Sequence, residues 1–364
     1  MQDYLIMHKD LIIAETSGYQ VNKIIHPEIC PAMIKEGSDI RPWIETRSID
    51  IHRSNSRRLY KALRLDLYGS TEEKINKGHA VTINDNWWVQ RVDENCDYKS
   101  LKSYNKEIAD VALYGNYVPE IEIQGYTELG TLGSYEKAWR KDGGIWYLYK
   151  NGGKAELLSE YFSSVFLKAM QVDVAEYRII RYKAETGLER EYIISKDFTE
   201  AGKYDFEPFI NYFGEDEDEG YIIERLQNLT DTIPTVIEDY VNMCFYDALL
   251  CNTDRHNGNV GFLRDSETGK ILRLAPFFDY NVSLASSCKL HFNDKELGYM
   301  GYFTRSRIFM EYMEKLIPER NHLFDAVRLA TSETEQAFPG TSETCALCGK
   351  YIMDSYDYFC RQYK

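Results

Sequence analysis

Asp254 and Asn259 lie five residues apart in the run Asn252-Thr-Asp-Arg-His-Asn-Gly-Asn259, and Asp279 follows in Phe277-Phe-Asp-Tyr280. These residue types at this spacing suit phosphoryl transfer. Asp254 can receive the proton of an attacking hydroxyl. The amide oxygen of Asn259 and the carboxylate of Asp279 are hard oxygen ligands of the kind Mg²⁺ prefers. ATP and Mg²⁺ are therefore the expected cofactors.

Such a trio works only if the chain between its members folds back. Val260-Gly-Phe-Leu263 and Ile271-Leu-Arg-Leu-Ala275 read as strands, separated by the turn-forming run Asp265-Ser-Glu-Thr-Gly-Lys270. That hairpin returns Asp279 toward Asn259. Upstream, Pro234 stands near a helix start, with Thr232 as the expected cap. Ile237, Val241, Cys244, Phe245, Ala248 and Leu249 recur at helical spacing. The helix they form is expected to hold the catalytic loop at its end. Arg255 and His256, inside that loop, are expected to brace it.

A nucleotide also needs cations and close backbone. Ile145-Trp-Tyr-Leu-Tyr-Lys150 reads as a strand ending in a lysine suited to phosphates. The following segment, Lys154 to Met170, has a helical stripe of Leu158, Phe162, Val165 and Ala169. It carries Glu160, the preferred acidic partner for that lysine, with Glu156 in reserve. Ahead of the strand, Glu128-Leu-Gly-Thr-Leu-Gly-Ser-Tyr-Glu-Lys137 places Gly130 and Gly133 where backbone amides could approach phosphate. Neither full glycine-rich nucleotide motif is present, which disfavours the P-loop class. Glu176–Tyr182 and Glu191–Ser195 form a further hairpin about Ala184-Glu-Thr-Gly187, and the chain leaves the sheet through Ser195 and Lys196. A hinge whose backbone meets adenine is expected there.

From about Gly125 onward, the chain resembles the HipA-like serine/threonine kinases, which share an architecture with phosphoinositide-3/4-kinases and, more distantly, with protein kinases. The resemblance rests on Asn252–Asn259, Leu274-Ala-Pro-Phe-Phe-Asp-Tyr280, Trp146-Tyr-Leu-Tyr-Lys150 and Ser159-Glu-Tyr161. It implies Asp254 as catalytic base, Asn259 and Asp279 as Mg²⁺ ligands and Lys150 as an ATP contact. It further implies an α+β, two-lobed protein-kinase-like fold. The expected division is an N-terminal α/β accessory domain over 1–115, a mixed antiparallel-sheet lobe over 116–198 and a mainly helical lobe over 199–364. Several members carry an autophosphorylated serine in the loop; here Thr127, Thr131 and Ser134 are nearby, but none occupies the expected place. The first hundred residues do not resemble the usual N-terminal region of that family, which leaves membership of a toxin–antitoxin system open.

In that N-terminal region, Arg57 to Leu67 reads as an amphipathic helix with Leu59, Leu63 and Leu67 in line, and Thr71–Ile75 as a second helix. Arg53, Arg57, Arg58, Lys61 and Arg64 read as a solvated basic face. The formal net charge of −15, from 43 basic and 58 acidic residues, disfavours general nucleic-acid affinity and anionic membranes. The partners expected are a protein bearing a Ser or Thr hydroxyl and a regulatory protein. No leader and no long apolar run is evident, and eight scattered cysteines point to reduced thiols in a cytoplasm. Cys345-Ala-Leu-Cys348 has zinc-like spacing but lacks four ligands. Glu215–Glu219 reads as a solvated acidic loop. Two rival functions stand beside the protein kinase: a phosphoinositide or small-molecule kinase, and a non-catalytic ATP-binding pseudokinase.

Overall fold

The computed structural model describes residues 2–115, 127–131, 133–183, 189–215, 218–287, 290–293, 295 and 298–363. Leu132, Cys288, part of the acidic run 215–219, the turn expected at 184–188 and the 116–126 start of the expected sheet lobe lie outside these residues.

The strands are β1 (Tyr4–His8), β2 (Leu11–Ser17), β3 (Gln20–Ile24), β4 (Trp87–Arg91), β5 (Lys137–Asp142), β6 (Ile145–Lys150), β7 (Tyr177–Lys183), β8 (Glu189–Lys196), β9 (Tyr204–Pro208), β10 (Gly261–Asp265) and β11 (Ile271–Leu274). They form sheets of order β3-β2-β1-β4, β5-β6-β8-β7 and β11-β10-β9. The fold is mixed α+β. Its chain divides into two compact units: 1–151 with 181–214 and 262–272, and 152–180 with 215–261 and 273–364. Residues 1–115 and the strands β5, β6 and β8 thus share the first unit.

In the first unit, β1 pairs antiparallel with both β2 and β4. Alternation turns Tyr4 and Ile6 of β1 and Trp87 and Val89 of β4 into a core shared with Ile13, Trp43 and Ile75. The expected helix 57–67 is shorter than its leucine spacing suggested: it spans Ser56–Ala62. It closes where Arg64 takes a left-handed φ of 53° and the Leu65 N–H returns to the Tyr60 carbonyl at 2.9 Å, a Schellman closure. The second helix runs Thr71–Gly78, capped by the Ser70 hydroxyl accepting the Glu73 N–H at 3.2 Å.

The basic face is likewise corrected at Arg53. Its side chain is buried and donates to the carbonyls of Leu129, Thr131 and Lys137. It holds Leu129, Thr131 and Lys137 by their backbones rather than facing water.

The second unit is helical. Helices Lys154–Ala169, Glu219–Gln227, Val236–Leu249, Gly298–Arg305, Arg307–Tyr312, Arg320–Ala337 and Ser342–Tyr363 supply most of it. Phe245 packs against Phe303 and Phe359, with ring centroids 5.7 and 5.0 Å away. Among the described residues, no helix is long and apolar enough to cross a membrane.

Candidate functional site

All six apolar residues expected on the helix before the catalytic loop are buried in Val236–Leu249. Its start differs from expectation. Thr235, not Thr232, is the cap position, and its hydroxyl donates to the Asp239 carboxylate at 2.8 Å instead of capping an N–H.

One buried residue on this helix is not apolar. Asp247 is fully enclosed, and no spacing rule singled it out; its signal is an acid inside an apolar stripe. Its carboxylate accepts the Asn252 amide at 2.8 Å and two bonds from Arg255, Nε at 2.9 Å and an Nη at 3.0 Å. The other Arg255 Nη donates to the carbonyl of Asn259 and, at 2.8 Å, to that of Phe278. The guanidinium also lies over the Tyr280 ring, 4.9 Å from its centroid. Burial alone would lower the Arg255 pKa; the Asp247 carboxylate and then Tyr280 reverse this and raise it, so the cation persists. Arg255 therefore joins the helix, the peptide after Asn259 and the residue before Asp279.

The loop between is equally constrained. Asn259 receives its backbone position from the His256 carbonyl, which accepts its N–H at 2.8 Å, while its side-chain Nδ2 donates to the Asp254 carbonyl at 3.1 Å. That bond uses one of the amide's two N–H donors, and Oδ1 is the atom of this side chain able to ligate a cation. His256 Nδ1 accepts the Gly258 N–H at 3.0 Å, tightening the turn. A Cβ on Gly258 would fall 2.8 Å from the His256 ring, so the turn leaves no side-chain room there. Asp254 itself is exposed at the loop surface.

The hairpin β10–β11 returns the chain as expected, with the Ala275 N–H on the Gly261 carbonyl at 2.8 Å. Phe277 then pairs with the 173–175 segment through two backbone bonds of 2.8 Å. Asp279 follows with φ 63°, a left-handed conformation that Asp tolerates better than most residues. Thr253 N–H to the Val282 carbonyl, at 3.2 Å, ties the segment after Asp279 back to the loop. Asp254, Asn259 and Asp279 thus belong to one hydrogen-bonded assembly. Its donors — one amide oxygen and carboxylates — fit a hard divalent cation.

The remaining candidates stand in their own settings. Lys150 is buried at the end of β6, not exposed, and lies directly across from Lys137 of β5. Lys137 is buried too, and a Cβ on Gly133 would come 2.5 Å from its Nζ, so this ammonium lies against the loop. No sequence motif singles out Lys137; its signal is a lysine that opens a strand beside a glycine loop. Gly133 has φ 112° and donates its N–H to Asp50 at 3.0 Å. Gly130 is buried, and the atoms nearest its absent side chain are the Val81 and Arg47 carbonyls. Its close approach is to the protein's own backbone.

Ser195 and Lys196 pair with Leu148 and Tyr147 across β6 and β8, and the next residue, Asp197, donates its N–H to the Trp146 carbonyl at 2.9 Å. Glu160 is buried within the helix Lys154–Ala169, whereas Glu156 in its first turn folds back against Gly153. Cys345 and Cys348 share the buried face of helix Ser342–Tyr363 and pack in the core, where burial pushes the Cys348 thiol up to about 12. Among the described residues, no group of three metal-competent side chains includes them.

A profile of the HipA-like C-terminal domain matches residues 135–337. The serine/threonine-protein kinase CtkA of Helicobacter pylori is 33% identical over 145 residues, which are 36% of this chain and 40% of that kinase. The match therefore spans well under half of that relative's length. Among solved structures, a chain of the Shewanella oneidensis MR-1 toxin–antitoxin complex of HipA, HipB and operator DNA superposes over 98% of this chain and 97% of its own, at 13% identity and a TM-score of 0.59. That likeness is one of fold. The Helicobacter pylori proinflammatory kinase CtkA covers 62% of this chain and 90% of its own, at 19% identity and a TM-score of 0.47.

Proposed function

We propose, from the premise that this chain belongs to the HipA-like C-terminal domain family, that it is an ATP- and Mg²⁺-dependent serine/threonine protein kinase. One observation carries the reading: Asn259 and Asp279 are fixed relative to Asp254 by the Asn259–Asp254 amide bond and by the Arg255 fork on Asn259 and Phe278. An Asx-rich loop with turn roles alone would not need a buried arginine bridging it to a helix acid.

In this reading Asp254, at the exposed face of the loop, orients the substrate hydroxyl and takes its proton. Asn259 Oδ1 and the Asp279 carboxylate hold the metal. When bound, Mg²⁺ supplies charge neutralisation at the β- and γ-phosphates. Lys150 contacts the triphosphate, with Glu160 in the nucleotide-handling set and Ser195 and Lys196 offering backbone to adenine. Of the two loop glycines, Gly133 lies beside the Lys137 ammonium, whereas Gly130 approaches the protein's own carbonyls, so Gly133 is the better candidate. Lys137, paired across β5 and β6 with Lys150, is a second cation on the same strand pair that could meet a phosphate. Alignment and electrostatics then carry the catalysis, because the loose transition state asks little covalent help of the protein.

The deciding experiment incubates the purified chain with labelled ATP and Mg²⁺ and separate pools of protein and phosphoinositide. Label in protein serine or threonine, absent with Asp254→Ala, supports the proposal. Label in lipid alone selects the phosphoinositide kinase. Nucleotide-dependent stabilisation with no transfer to any acceptor selects the pseudokinase.

A further inference from the structure

A second cluster of metal-competent side chains lies far along the sequence from the catalytic loop. One ring nitrogen of His79, one carboxylate oxygen of Glu94 and the sulfur of Cys96 all fall within 4.8 Å of one another. We propose that His79, Glu94 and Cys96 form a binding site for Zn²⁺ on the β1–β4 sheet of the first unit.

Each ligand is aimed by the backbone around it. His79 ends the helix Thr71–Gly78 in a left-handed conformation, φ 48°, with its N–H on the Ile75 carbonyl at 2.8 Å. It is pinned to β4 twice: the Val89 N–H donates to the His79 carbonyl at 2.8 Å, and His79 Nδ1 meets the Val89 carbonyl at 3.1 Å. A carbonyl can only accept, so the proton sits on Nδ1 and the lone pair on Nε2. This is how ligating histidines are usually oriented, with the second nitrogen donating to a backbone carbonyl. The Trp88 ring, edge-on at 6.4 Å, limits rotation of the imidazole.

Glu94 and Cys96 sit in the turn that leaves β4. Glu94 donates its N–H to the Arg91 carbonyl and accepts the Arg91 N–H on Oε2, both at 3.1 Å. Oε1 pairs with an Arg91 Nη at 3.2 Å. A divalent cation displaces that half-exposed guanidinium from Oε1 while Oε2 keeps its backbone donor. Cys96 is a free thiol whose N–H donates to the Gln90 side-chain oxygen at 3.2 Å.

The donor set selects the ion. One nitrogen, one oxygen and one sulfur suit borderline transition cations, whereas a sulfur ligand disfavours Mg²⁺ and Ca²⁺. Three protein ligands leave a fourth tetrahedral position for water. Binding converts the Cys96 thiol to thiolate and releases its proton to solvent.

The test uses the full chain, stripped with chelator and titrated with Zn²⁺ against a competing chromophoric chelator in excess Mg²⁺. One equivalent is expected to bind. Cys96→Ser and Glu94→Gln should each weaken it by more than the roughly 10–100-fold that loss of an outer-sphere partner costs. Cobalt substitution should give a thiolate-to-metal absorption band that Cys96→Ser abolishes. Asp279→Asn and the Cys345→Ser, Cys348→Ser pair should leave the equivalent in place. Glu94→Gln, in a part-exposed turn, guards against misfolding of the other variants. No bound equivalent, cobalt bound without the band, or zinc surviving both Glu94→Gln and Cys96→Ser would each overturn the site.

Discussion

Arg255 and Asp247 meet inside the protein through two parallel hydrogen bonds, with side chains only 6% and 0% exposed. A bidentate pair of this kind fixes direction as well as distance. Here the direction matters, because the far side of the same guanidinium holds the Asn259 and Phe278 carbonyls.

Breaking that pair from one side should be costly. Asp247→Ala leaves a buried guanidinium facing an apolar gap, and we expect a loss of about 3–5 kcal/mol in urea unfolding. Arg255→Lys keeps a charge but not the fork, so its main effect should fall on turnover, down by as much as about 10²-fold through misplacement of the loop. A wild-type unfolding midpoint for Asp247→Ala would show that the pair is not holding the loop.

Asp254 is exposed and its side chain supports no core, so function and stability should separate there. Asp254→Ala is expected to cut protein phosphorylation by about 10²-fold or more, with the melting temperature unchanged. Full activity in that variant would remove the residue from the role of base.

For Asp279 the informative change is to Asn. Both residues accept a left-handed φ, so the backbone at 63° is kept while one ligand charge is lost. Asp279→Asn should keep the melting temperature of the free chain and abolish the extra stabilisation given by ATP with Mg²⁺. Retention of that metal-dependent shift would place the cation elsewhere.

Glu128 gives a pH signature independent of catalysis. Burial raises its carboxyl from an ordinary 4.5 to about 7, against the opposing pull of the Asn105 N–H that it accepts. The folded chain then holds a proton that the unfolded chain has released. Its contribution is complete below about pH 4.5 and is lost as pH rises through about 7. Stability relative to Glu128→Gln should fall across that window by up to about 3 kcal/mol, at about 1.4 kcal/mol per pH unit. Denaturant melts of both proteins at several pH values measure it, and a pH-independent difference would mean the carboxyl titrates normally.

What could be read from the chain follows from the range of the interactions. The loop 252–259, the hairpin and Asp279 are joined by local chain geometry, and the apolar repeat of Val236–Leu249 marks its own helix. Gly130 illustrates the limit: sequence offers a glycine fit for close approach, but only the fold reveals that the Arg47 and Val81 carbonyls are what approach it. Arg53 has basic neighbours in sequence and carbonyl neighbours in space, brought from 76 to 84 residues away. His79, Glu94 and Cys96 match no spaced motif, since a helix end and a strand exit bring them together. The leucine repeat of 57–67 overran its helix because periodicity reports a face and not a stop; the stop came from the turn at Arg64.

One guanidinium clasping three stretches of chain also sets when order is achieved. The loop bearing Asp254 and Asn259 is held by bonds from within the chain: the Arg255 fork and the Asn259 amide. If the chain is the kinase proposed above, a substrate would meet side chains already arranged, and the entropy of arranging them would not be lost at each turnover.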